Sequence, residues 1–183
     1  MISNNFLMHY FLDNILSICD NVYSDDEQEV PMIGIEITGG LKKDRELAEE
    51  IVWFCLEKML PRHRNLNITV LLTKTYEEGA KGFCYQEIDD RDFVIEIDHR
   101  LNKIEGVEEF IDTVCHEMIH VKQHATKKLI DRIRGGYKKL WKCRDGKYRN
   151  YLETAYDKQP WEIEAHRDSG KYMRAFKKEF YGY

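Results

Sequence analysis

The spacing of apolar residues changes period several times along the chain. Over residues 43–60, Leu47, Ile51, Phe54, Cys55 and Met59 recur at three and four positions and Pro61 ends the run, which predicts an amphipathic helix. Just before it, residues 32–37 are rich in Ile and stop at Gly39-Gly40, the pattern of a strand or extended segment. Three short runs follow, 66–73, 80–88 and 93–98, rich in Val, Ile, Thr, Phe and Tyr and separated by acidic or Gly-containing turns. They predict a small, mostly antiparallel sheet. From Gly106 the helical period returns through Val107, Phe110, Ile111, Val114, Met118, Val121 and Ala125. A further helical run is expected to end at Gly135-Gly136. Residues 141–156 read as irregular or hairpin-like, and Pro160 opens a last helix running toward Phe176. At the N-terminus, residues 6–18 predict a short helix followed by an acidic, turn-like stretch to Pro31. The expected organisation is an α+β fold: residues 1–30 as a helical arm or appendage, residues 31–183 as one domain.

Composition narrows this only a little. With 43% hydrophobic and 33% charged residues in 183, and few Gly or Pro, the chain is expected to be a soluble globular protein. No apolar run reaches the roughly 18 residues of a membrane span, and no basic leader opens the sequence, so a cytoplasmic protein without a membrane partner is expected. Five scattered cysteines, without a C-x-x-C pair, point to reduced thiols rather than a disulfide framework. The net charge of −5 is uneven. Residues 122–149 carry 11 Lys and Arg against 2 acidic residues, whereas residues 1–121 carry 11 against 25. The basic stretch is expected mainly to be solvated or neutralised within the chain, with nucleic acid or an acidic polypeptide as the partner it could serve.

The chemistry concentrates in His116-Glu117-Met118-Ile119-His120, an H-E-x-x-H string within the helix that begins at Gly106. At about 100° per residue, His116 and His120 lie within ~40° of one another, opposite the apolar stripe, so both imidazoles can reach one metal ion. Glu117 is offset by about a quarter turn, which suits a general base beside a metal-bound water. A zinc site needs a third ligand. His124, ~12 Å of rise from His116, cannot close it and is expected at the rim. Gln123 and Thr126 exclude a metzincin continuation. The last helix offers Glu164 as ligand and Asp168, one turn on, as the acceptor that orients an imidazole; two carboxylates four apart are best explained by a cation between them. Glu162 and His166 remain alternative ligands. Tyr151, Tyr156 and His166 are candidate donors for a developing oxyanion.

His116-Glu117-x-x-His120 followed by Glu164-x-x-x-Asp168 resembles the gluzincin pattern of thermolysin-type zinc metallopeptidases. Pro160-Trp161-Glu162-Ile163-Glu164-Ala165, preceded by Leu140-Trp141-Lys142, is similar to a phrase in small phage-encoded metallopeptidases. The resemblance covers residues 43–176. It implies a zincin-like fold with a glutamate helix, a Zn²⁺ cofactor, Glu117 as base, and a polypeptide substrate pairing with an edge strand, from Phe93 to Asp98. For a phage protein it extends the compartment to the virion or host cytoplasm. His-Glu-Met-Ile-His also resembles SprT-like proteases of DNA-bound proteins, whose third ligand is a histidine in a His-Gly context; here Arg167 follows His166. A non-catalytic, zinc-stabilised binding protein is the alternative of another class, and Glu117 argues against it, since a structural site has no use for an unligated acid there.

Overall fold

The computed structural model describes residues 32–75, 80–133 and 136–182. The expected N-terminal arm, residues 1–30, lies outside the described residues.

The first strand, β1 (Gly34–Gly39), leads into α1 (Lys42–Met59). Ala48, Ile51, Val52, Cys55, Leu56 and Met59 form its buried face, the stripe that three-and-four spacing dictates. Three strands follow, β2 (Asn67–Thr73), β3 (Gly82–Gln86) and β4 (Asp92–Asp98). The sheet order is β1-β2-β4-β3. The first three run parallel, and only β3 is antiparallel, with Gly82 opposite Ile97 and Gln86 opposite Phe93. The sheet is therefore mixed rather than mostly antiparallel. α1 supplies the crossover that parallel β1 and β2 require, a connection that strand-by-strand reading of short runs does not reveal. A second correction follows: the strand from Phe93 to Asp98 is not an edge, because β2 and β3 flank it. The edge is β3.

The alternation along β2 and β4 turns Ile68, Val70, Leu72, Phe93, Ile95 and Ile97 toward the helices, where they are all but sealed from solvent. A short α2 (Leu101–Ile104) precedes α3 (Val107–Ala125), which carries the H-E-x-x-H string. Ile111, Val114, Cys115 and Met118 of α3 join the same core, with Cys115 Sγ 3.8 Å from Cys55 Sγ of α1. Glu108 and Glu109 occupy the first turn of α3, where the helix dipole favours negative charge.

Beyond α3 the expected helical run is absent. The chain folds instead into an antiparallel meander of β5 (Leu129–Arg132), β6 (Lys138–Lys142) and β7 (Tyr148–Asn150). Leu129 and Trp141 from this meander pack with Trp161 in a separate small cluster, the two indole rings 6.5 Å apart. After a 3₁₀ turn (Tyr156–Lys158), α4 (Pro160–Tyr181) begins with Pro at its first position, where a missing N–H costs nothing, and ends at left-handed Gly182. α4 lies along α3 and buries Ala165, Ser169 and Phe176, the last edge-on to Phe54 of α1 with ring centres 5.4 Å apart. No helix among the described residues is long and apolar enough to cross a membrane.

Gly39 ends β1 with φ +77°, and a Cβ there would sit 2.3 Å from the Leu72 carbonyl oxygen. Both the backbone and the space demand glycine. Gly39→Ala is expected to destabilise by more than about 1 kcal/mol, lowering Tm by several degrees in a thermal melt.

Candidate metal centre

Helical spacing brings the Nε2 atoms of His116 and His120 to 3.2 Å from one another. α4 crosses them with its first turn, and Glu162 closes the group: Oε2 is 3.4 Å from His116 Nε2, and Oε1 is 3.5 Å from His120 Nε2. These three residues form a buried cluster that could hold a metal ion. Three ligands about 2.0–2.1 Å from a tetrahedral centre are spaced ~3.3 Å apart, so separations of 3.2 to 3.5 Å are what such a centre requires. A second observation fits. Glu162 Oε2 is buried without a hydrogen-bond partner, a costly arrangement for a carboxylate unless a cation satisfies it.

The third member is thus Glu162, one of the two alternatives to the preferred Glu164. Glu162 and Glu164 are equally enclosed, each 8% exposed, but they leave α4 about 200° apart and meet different neighbours. Glu164 is ion-paired with Lys128 from the start of the meander. Asp168, expected beside an imidazole, instead accepts from Arg167 Nε and a terminal guanidinium nitrogen at 2.7 and 2.8 Å. The cations that reconcile Glu164 with Asp168 are therefore side chains of the chain itself. The acceptor on His120 Nδ1 is Gln123 Oε1, at 2.8 Å.

Glu117 is 5% exposed, and its Oε1 lies so close to β3 that a Cβ at Gly82 would approach it to 2.9 Å. Burial pushes its carboxyl up to about 7, with the nearby Glu162 charge adding to the rise and His120 opposing it. Glu162 moves the other way. Burial raises it, yet the imidazoles of His116 and His120 and the hydroxyl of Tyr156 more than offset this, leaving the carboxyl well below the usual range. Burial lowers His116. His120 is pulled down by burial and up by Glu162 and Glu117, and the rise prevails.

The expected oxyanion donors separate cleanly. His166, one turn beyond Glu162, is at the site, its ring centre 4.6 Å from that of His116. Tyr156 is also there, 6.4 Å ring to ring from His166, and burial together with Glu162 pushes its hydroxyl up from the usual phenol range. Tyr151 is not: its hydroxyl lies 3.7 Å from Cys143 Sγ, and its ring belongs to the tryptophan cluster. His124 is buried against Phe93 rather than at the rim, and burial lowers it to about 4. Sequence reading passed over Gln123 and Gly82. Gln123 carried a usable signal, because it lies three residues after His120 and hence on its face of α3.

Compared with family models, with curated proteins and with solved structures, the chain has no match.

Two measurements follow. In a chelator competition, Glu162→Ala is expected to weaken metal binding by orders of magnitude, whereas Glu164→Ala and Asp168→Ala leave it within a few-fold of wild type. Glu117→Gln removes a carboxyl whose pKa is raised on folding. The folded state keeps that proton up to about pH 7 while the unfolded chain loses it near 4.5, so the cost of burying the charge is complete above pH 7 and vanishes at low pH. In metal-stripped protein the variant is expected to melt several degrees above wild type at pH 8, with the gain fading as pH falls toward 4.5.

Proposed function

We propose that the chain is a zinc-dependent metallopeptidase of zincin-like fold, with His116, His120 and Glu162 as ligands and Glu117 as general base. The observation that carries the reading is the placement of Glu117, a buried acid next to the three-ligand cluster that takes no part in the cluster itself. Two nitrogens and one carboxylate oxygen make a borderline donor set suited to Zn²⁺. The bound ion would supply Lewis acidity to a scissile carbonyl.

The residues of the chain do the rest. Glu117, with its carboxyl near pH 7, can take a proton from a water and return it to the leaving amine. His166 and the Tyr156 hydroxyl are the donors placed to steady negative charge on the substrate oxygen, in the role considered for Tyr151. Among the described residues β3 is an edge strand beside Glu117, where an extended polypeptide could add a further strand in place of the pairing expected at Phe93 to Asp98.

Glu117→Gln is expected to keep one zinc per chain and lose at least ~10²-fold in peptide hydrolysis, while His116→Ala loses the metal. Metal content by mass spectrometry and turnover of an unstructured protein substrate test both. Undiminished cleavage by Glu117→Gln overturns the mechanism.

One observation favours a second reading, action on protein bound to nucleic acid. A groove of about 610 Å³ beside the first turns of α4 is lined by Lys142 and Arg144 together with Lys128 and Arg167, which are paired with Glu164 and Asp168. Replacing Lys142 and Arg144 with Gln is expected to abolish binding to single-stranded DNA at low salt, followed by fluorescence anisotropy. If wild type does not bind, that reading ends.

A further inference from the structure

Gln123 is 1% exposed and makes two hydrogen bonds, one to His120 on its own helix and one across to the start of α4. Its Nε2 donates to the carbonyl of Trp161, the residue before Glu162, at 3.0 Å. Its Oε1 faces His120 Nδ1 at 2.8 Å. The orientation of the amide is fixed, because reversing it would set Oε1 against the Trp161 carbonyl, acceptor to acceptor. His120 Nδ1 must then carry a proton and donate it to Gln123. The lone pair of a neutral imidazole is left on Nε2, the atom that faces His116 and Glu162.

Resting on the reading of this cluster as a metal site, we propose that Gln123 is its positioning residue: it sets the tautomer of His120 and fastens the start of α4, so that Glu162 is presented before any ion arrives. The side chain thereby serves two ligands on two elements. A carboxylate in its place could accept from His120 but could not donate to Trp161, so the amide is the group that satisfies both neighbours while adding no charge to a buried site.

The test uses the full chain and three versions of it: wild type, Gln123→Met, which keeps the volume and loses both bonds, and Gln123→Glu, which keeps only the acceptor. In metal-stripped protein at pH 8, nitrogen-15 NMR of the imidazoles is expected to show His120 in the Nδ1–H form in wild type and Gln123→Glu, and a mixture in Gln123→Met. Titration with Zn²⁺ against a competing chelator is expected to show affinity 10- to 100-fold weaker in Gln123→Met, with Gln123→Glu in between. A purely structural glutamine would lower Tm and move neither readout. Wild-type zinc affinity in Gln123→Met, or an Nε2–H form of His120 in wild type, overturns the proposal. Should wild type itself bind no zinc, the metal-site reading falls, and the tautomer, measured without metal, still judges Gln123. If Gln123→Met does not fold, Gln123→Glu decides alone: unchanged zinc affinity there refutes the tether to α4.

Discussion

A carboxylate enclosed between two helices has to be neutralised by something, and the packing of α4 on α3 depends on how Glu162 is answered. Placing a bare anion where water cannot reach it costs several kcal/mol. Two imidazoles approach it within 3.5 Å, the Tyr156 hydroxyl adds to their pull, and one of its oxygens still has no hydrogen-bond partner. Glu162 lies in the first turn of α4, where exposed N–H groups also favour negative charge. The crossing of α3 and α4 near this turn is thus an electrostatic arrangement as much as an apolar one. The apolar contribution comes further along, where Ala165, Tyr172, Met173 and Phe176 meet the common core.

The helices were legible in the sequence because their periodicity is local: α1, α3 and α4 begin and end within a few residues of where Pro61, Gly106 and Pro160 place them. The first two members of the cluster were legible for the same reason, being one turn apart on one helix. The third was not. On α4, Glu162 with His166 and Glu164 with Asp168 lie on opposite flanks of the buried stripe, and the spacing treats the two flanks alike. Which flank faces α3 is decided by the direction in which α4 crosses it, and the meander helps to set this through Trp141, Trp161 and the Lys128–Glu164 pair. That packing is long-range, so nothing within residues 160–168 reports it. Sheet topology failed similarly, since parallel pairing of β1 with β2 joins residues more than thirty positions apart.

The basic stretch illustrates how a charge run divides once folded. Lys127 pairs with Asp90, Lys128 with Glu164, and Arg149 with Asp145, so part of the excess is answered inside the chain. Two more of its contacts are to rings. Lys128 lies 4.7 Å from the Trp141 ring centre and Lys139 lies 5.1 Å from that of Trp161, where the cations cover the indoles that anchor the meander to α4. Lys142 and Arg144, by contrast, line the groove beside α4.

The distribution of the cluster along the chain has a consequence for folding. His116 and His120 are separated by one helical turn, but 41 residues, including the whole meander, lie between His120 and Glu162. An ion shared by the three, held by the folded chain and released on unfolding, would tie these distant segments together and stabilise the folded state by about 2.7 kcal/mol at a free concentration 100 times its Kd. Loss of the ion would remove that contribution from the seam between α3 and α4, whose first turn Gln123 still fastens, leaving β1 to β4 and α1 packed as before. The local stability of the C-terminal third of the protein would in that way report the occupancy of a site on its border.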